Sequence, residues 1–174
     1  MSRLFAVLAA TSALAGAAPA WSAQAETLTA ELKNGAGQTV GSVSLTEAPK
    51  GVVMRVEAKG LTPGWHGLHF HEKADCSKSD FTSAGAHTRH QGHGGEAKAV
   101  HGLLNPEANE TGDLPNIHAH ADGSAAAEVY TTLTTLKALR DADGSAVLIH
   151  ANADDHKTQP IGGAGARVAC AVIK

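Results

Sequence analysis

The chain has 174 residues, enough for one domain with a core of its own. Hydrophobic residues make up 43% and charged residues 18%, which excludes a disordered polymer, while aromatics at 3% leave no stripe for stacking single-stranded nucleic acid. A net charge of −3 with histidine neutral excludes wholesale nucleic-acid binding, and 11 histidines, all at or after His66, raise a metal question at once.

Residues 1–25 read as a secretory signal peptide. Arg3 gives a positive start, residues 4–18 an apolar run, and Ala23-Gln24-Ala25 the small residues of a cleavage site. The run is short for a membrane span and Pro19 interrupts its end, so a membrane anchor is the weaker reading. No later stretch is apolar enough to span, so no membrane contact is expected once the leader is removed, and the mature domain is 26–174. Export implies a periplasmic, oxidising location. Cys76 and Cys170, the only cysteines, then read as one disulfide, with two buried free thiols as the other reading.

Along the mature chain, alternating or β-branched segments predict strands at 28–32, 39–45, 52–58, 64–71, 127–130, 146–150 and 167–173. Turn signals part them: Asn34-Gly35, Pro49-Lys50-Gly51, Pro63-Gly64, Asp122-Gly123 and Asp143-Gly144. Only 132–140 could hold a helix, and its threonines argue for a short one. The pattern predicts an all-β fold, an antiparallel sandwich or barrel. Two long stretches, 72–115 and 151–166, are rich in Gly, His, Asp, Pro and Lys and fit no strand. Loops of that length in a small domain are usually functional or disordered. The first holds His87, His90, His93 and His101, so a metal could order it.

In Gly64-Trp65-His66-Gly67-Leu68-His69-Phe70-His71, positions i and i+2 of a strand share a face. His69 and His71 can therefore meet one metal while Leu68 and Phe70 face the core. His150 ends a second strand after Val147-Leu148-Ile149. Three imidazoles on rigid strands suit copper or zinc.

With these residues in view, the chain resembles the copper/zinc superoxide dismutase family in its secreted bacterial form. The matching pieces run in order: Gly64 to His71, Cys76, Ser83-Ala84-Gly85-Ala86-His87, His101-Gly102, Gly112-Asp113-Leu114-Pro115-Asn116, His150-Ala151-Asn152-Ala153-Asp154-Asp155, and Gly162 through Cys170. The resemblance implies a Greek-key antiparallel β-sandwich or flattened barrel of about eight strands with two long functional loops. It implies disproportionation of superoxide to dioxygen and hydrogen peroxide, in antioxidant defence of the cell envelope, with copper and zinc ions as cofactors. By the same resemblance His69, His71 and His150 would be copper ligands, and His87 the imidazolate bridging copper to zinc and carrying a proton. His101 and Asp113 would be zinc ligands, Asp154 the carboxylate linking a copper histidine to a zinc histidine, and His66 a framework histidine behind the copper. Arg167 would be the cation at the mouth of the channel, and Cys76–Cys170 the family disulfide. Superoxide is then the substrate and nucleic acid no partner, with monomer and homodimer both open.

The chain departs from the family pattern in its zinc loop. The family's zinc site has three histidines and one aspartate, and three residues before Asp113, where a histidine is expected, stands Glu110. A carboxylate can ligate zinc. The spacing from His87 to His101 is also longer than usual, which leaves His90 or His93 as alternative fourth ligands. His118 and His120 form another same-face pair, read either as exposed strand residues or as an auxiliary copper-acquisition site, and His156 stands where an aromatic is expected. The rival function is a non-enzymatic copper buffer or carrier on the same fold. A carrier needs neither a bridging His87 nor a channel Arg167. A heme- or partner-binding module would rest on His118 and His120 alone.

Overall fold

β1 (Thr27–Asn34) and β2 (Thr39–Ala48) form a hairpin because Asn34 folds the turn onto itself. Its Oδ1 accepts from the amides of Ala36 and Gln38, each at 3.0 Å, and Gly37 supplies the positive φ of 78°. The structure is a computed structural model that describes residues 25–89 and 98–174. The leader through residue 24, and His90 and His93 of the first loop, lie outside the described residues.

The chain continues through β3 (Gly51–Ala58), β4 (Gly64–His66), β5 (Leu68–His71), β6 (Ile117–Ala119), β7 (Ala125–Thr131), β8 (Ser145–His150) and β9 (Arg167–Ile173). In β3, Val52, Met54, Val56 and Ala58 are buried while Arg55 and Glu57 are exposed, the period of two that a half-solvated strand requires. All ladders are antiparallel. Seven strands make one curled sheet in the order β5-β8-β9-β1-β2-β3-β7, and β4 and β6 make a second, two-stranded sheet. Leu32, Leu45, Met54, Phe70, Ile117 and Ile149 are among the residues of the main core. This is the expected antiparallel β-fold with two long loops.

The differences from expectation are local. The segment 64–71 is two strands, not one, because Gly67 changes partners. Its amide donates to the Asn152 carbonyl at 2.8 Å and its carbonyl accepts from the His150 amide at 2.9 Å. Residues 117–119 form β6, a strand too short for its own periodicity to announce it. The helical segment shrinks to one turn, α1 (Leu136–Leu139), capped by Thr135, whose hydroxyl accepts from the Ala138 amide at 3.1 Å. No helix among the described residues is long and apolar enough to cross a membrane.

The first long loop lies along the outer edge of β5. The Phe70 amide donates to Gly112 O, and the Thr88 amide to Phe70 O, both at 2.9 Å, while the Glu72 amide reaches Ala86 O at 2.9 Å. Gly112 is required there, since a Cβ would overlap the Phe70 carbonyl. The loop is therefore pinned to a rigid strand at several points. Its other anchor is the Cys76–Cys170 disulfide, which sits in a small second core with Phe81, Ala84, Ala146 and Leu148. The expected pairing of the two cysteines holds.

Because that bond closes a long loop, Cys76→Ser is expected to cost about 2–5 kcal/mol. Calorimetry of parent and variant should show a lowered thermal midpoint, and free thiols at both positions in the oxidised parent would contradict the assignment.

Candidate metal centre

Four buried histidines face one another beneath the two loops. His69 and His71 come from β5, His150 from the end of β8, and His87 from the first loop. The i, i+2 spacing in β5 turns both of its histidines to one side, and ring centroids of His69 and His71 lie 6.4 Å apart. His150 is 4.8 Å from His69 and 5.7 Å from His71 by the same measure. His71 and His87 also meet as an isolated antiparallel bridge, so the loop's hold on β5 places His87.

The hydrogen bonds decide which ring nitrogen each histidine presents. A carbonyl can only accept, so His71 Nδ1 donates to Gly85 O at 3.0 Å and His150 Nδ1 to Gly165 O at 3.1 Å. His69 Nε2 donates to Asp154 Oδ2 at 2.8 Å. Each ring is left with a bare acceptor nitrogen: His69 Nδ1, His71 Nε2 and His150 Nε2. None of the three has a hydrogen-bond partner, and neither does His87 Nε2. Ligand atoms of these four residues lie within 4.8 Å of one another. Buried polar atoms without partners are costly. Four of them converging on one point suit a metal ion that favours imidazole, such as copper.

Burial drives the protonated forms out of this pocket. It lowers His69 to about 4, with the Asp154 hydrogen bond opposing, His71 to about 2 and His150 to about 3. All three are therefore neutral near pH 7, the form that ligates a metal.

A second constellation lies on the other side of His87. Its Nδ1 is 2.6 Å from Glu110 Oε2 and 3.5 Å from Asp113 Oδ1. His101 Nδ1 is 2.7 Å from Asp113 Oδ1 and 3.1 Å from Glu110 Oε2. Two imidazole nitrogens thus each lie close to two carboxylate oxygens, with Glu110 only 7% exposed, and His87, His101 and Asp113 gather with His69 as a group that could hold an ion. Nitrogen and carboxylate oxygen in that mixture suit zinc. Here burial lowers the imidazoles, but hydrogen bonds outweigh it. Asp113, Asp154 and Glu110 together raise His101 to about 11, and Asp113 and Glu110 raise His87. Burial pushes the Glu110 and Asp113 carboxyls up, and the hydrogen bonds from His101 and His87 reverse this, so both end lower than usual.

Asp154 joins the two halves. Oδ2 holds His69 and Oδ1 accepts from His101 Nε2 at 3.1 Å. Its backbone is clamped by Asn116, whose Oδ1 accepts from Asp154 N and whose Nδ2 donates to Asp154 O, both at 2.8 Å. A side chain at Gly162 would overlap Asp154 Oδ1. Arg167 stands beside the first set, its Nη1 donating to Phe81 O and its Nη2 to Gly85 O, both at 2.6 Å. Gly85 O thus serves both Arg167 and His71. His66 is no ligand: its two ring nitrogens face Thr62 O and His150 O, each at 2.7 Å.

His69, His71, His87, His101, Glu110, Asp113, His150, Asp154 and Arg167 are thus brought together, whereas His118 and His120 lie apart on β6 and the turn after it. Sequence reading missed the carbonyls of Gly85 and Gly165, which carry no side-chain signal, and Asn116, quoted only as part of a motif. His156 touches the centre's edge, 3.3 Å from Asn116 Nδ2 through Nε2.

Comparison with known proteins agrees with this geometry. The family model for copper/zinc superoxide dismutase matches residues 39–173. The chain is 61% identical over 152 residues to the copper/zinc superoxide dismutase of Caulobacter vibrioides, covering 84% of each protein. Among solved structures it resembles the Brucella abortus copper/zinc superoxide dismutase at a TM-score of 0.69 and 31% identity, covering 86% of this chain and 100% of that one. It also resembles a superoxide-dismutase-like protein of Bacillus subtilis at a TM-score of 0.69 and 31% identity, covering 84% and 97%.

The buried histidines carry a linkage in the metal-free protein. His69, His71 and His150 have folded-state values below their unfolded value near 6.5, so the unfolded chain binds more protons and their stabilisation, present above that pH, is lost as pH falls. His101, raised to about 11, keeps its full contribution below 6.5. Urea unfolding of the metal-free protein should therefore weaken from pH 6.5 to about 4, by up to about 1.4 kcal/mol per pH unit for each depressed histidine. A midpoint that rises over that range would contradict the burial argument.

Proposed function

The chain belongs to the copper/zinc superoxide dismutase family, and we propose that His69, His71, His150 and His87 hold its copper while His87, His101, Asp113 and Glu110 hold its zinc. It is a superoxide dismutase: two superoxide anions and two protons become dioxygen and hydrogen peroxide, with copper and zinc as cofactors. The observation that carries the residue assignment is the convergence of His69 Nδ1, His71 Nε2, His150 Nε2 and His87 Nε2, four buried nitrogens without partners. Bound copper supplies the one-electron redox cycle, and bound zinc a redox-silent divalent charge.

The protein's own residues supply the rest. His87 faces both sets, Nδ1 toward the carboxylates and Nε2 toward the other histidines, so Nε2 is the atom at which a proton can be held and passed to the peroxide product. Arg167 is fixed by two carbonyls and half-buried, which keeps a permanent positive charge beside the histidines. An anionic substrate is drawn to such a charge. The carrier reading is weaker, because a copper buffer has no use for His87 between two sites or for a clamped arginine.

Glu110 departs from the family pattern. With Asp113 it puts two carboxylates where the family pattern has one, and with Asp154 three lie in a small buried volume. Two divalent cations offset such a charge, and protons compete for the same ligands in acid. The enzyme acts in the periplasm as residues 26–174, after removal of the signal peptide 1–25. A disulfide between Cys76 and Cys170 supports that oxidising location. Its assembly, monomer or homodimer, is open to sedimentation analysis.

The assignment is tested by activity and metal content measured together. His150→Ala should abolish dismutase activity in copper-replete protein while far-ultraviolet dichroism keeps its strand signal. Arg167→Glu should slow the reaction and reverse its dependence on ionic strength, since screening weakens whatever field acts on the anion. Activity retained in the first variant, or an unchanged salt slope in the second, would reject the corresponding role.

Glu110→Ala should lose zinc more readily than the parent while retaining copper, as counted by mass spectrometry after dialysis. If zinc is unaffected there but lost in His90→Ala or His93→Ala, the fourth ligand is a histidine of the longer loop.

A further inference from the structure

His118 and His120 lie outside the buried centre, on β6 and the turn that follows. β6 pairs with β4 so that His118 stands opposite Trp65. Both histidines are exposed, and so is Trp65, at 59%, a large aromatic that no core claims. The Trp65 and His118 rings meet edge to face with centroids 4.9 Å apart. The turn keeps His120 close to the strand: its amide donates to Ser124 O at 2.8 Å and its carbonyl accepts from the Gly123 amide at 2.9 Å. His118 and His120 therefore share one face, with ring centroids 6.0 Å apart. The three copper histidines of the β-sheet stand 4.8 to 6.4 Å apart by the same measure. The surface pair thus has the spacing of two imidazoles that address one ion.

A carboxylate holds the turn that carries His120. Asp122 Oδ1 accepts from Ser124 N at 3.0 Å and Ser124 Oγ at 2.7 Å. We propose that His118 and His120 form a third metal site on the surface of the chain, selective for copper(II). Two imidazoles with open positions bind copper(II) most tightly of the divalent first-row ions, zinc included. The site is distinct from the buried centre, which uses neither histidine, and it lies against an indole that reports on it.

The test uses the enzyme with its buried copper and zinc already loaded. From residue 26 onward Trp65 is the only tryptophan, so its emission reads the site alone. Copper(II) added as the free ion should quench that emission saturably, with one further copper retained per chain. Zinc added in its place should leave the emission unquenched. The double variant His118→Ala, His120→Ala should lose both the quench and the extra copper, while its buried copper and zinc content shows that it has folded. A parent that is not quenched, or a double variant quenched with the same midpoint, would overturn the proposal.

Discussion

Asp154 accepts from His69 through one oxygen and from His101 through the other, at 2.8 and 3.1 Å, and the order of the whole centre depends on that shared carboxylate. By accepting from His69 Nε2 it bares Nδ1 toward the other buried histidines. By holding His101 Nε2 it turns Nδ1 toward Glu110 and Asp113. One side chain thereby fixes the tautomer of one ring and the orientation of two, the role that partners behind metal-ligating histidines commonly fill. Its own position is over-determined: Asn116 clamps the backbone, the His156 amide donates to Oδ1 at 2.6 Å, and Gly162 clears space for it. Both long loops and the strand system meet there, so a shift in either loop is felt in both sets of ligands.

The division of labour between sheet and loops has a physical basis. Strands β5 and β8 are buried along their length, and their ladder fixes His69, His71 and His150 to the backbone with little freedom. A loop cannot provide that rigidity alone, and this one borrows it. It is hydrogen-bonded along β5 through Phe70 and Glu72 and tied to β9 by a disulfide. The same stretch lends its carbonyls outward, Gly85 to His71 and Arg167, and Phe81 to Arg167. The disulfide thus supports the arginine's position as well as the domain's stability. Buried carboxylates and imidazoles beside each other are tolerable without metal only because they share protons, which is why His101 and His87 are raised while the sheet histidines fall. Metals replace those protons.

Much of this was legible in the residues. The strands follow from alternation and turn residues, the same-face placement of His69 and His71 from a period of two, and the pairing of two cysteines from there being no others. The ordered motifs resemble one family closely enough to single out Asp154 and Arg167, and to mark Glu110 as a departure from its pattern with His90 and His93 as alternatives. Those are local or pairwise facts, and local facts survive in a linear pattern. The tertiary structure alone decided which nitrogen each histidine presents, because that depends on carbonyls of Gly85 and Gly165 that no side chain betrays. It alone split 64–71 at Gly67, since the break comes from hydrogen bonds to Asn152 and His150, far along the chain. And it alone showed His118 edge to face with Trp65 across a short strand pair, a neighbourhood set by register between β4 and β6 that neither segment encodes by itself.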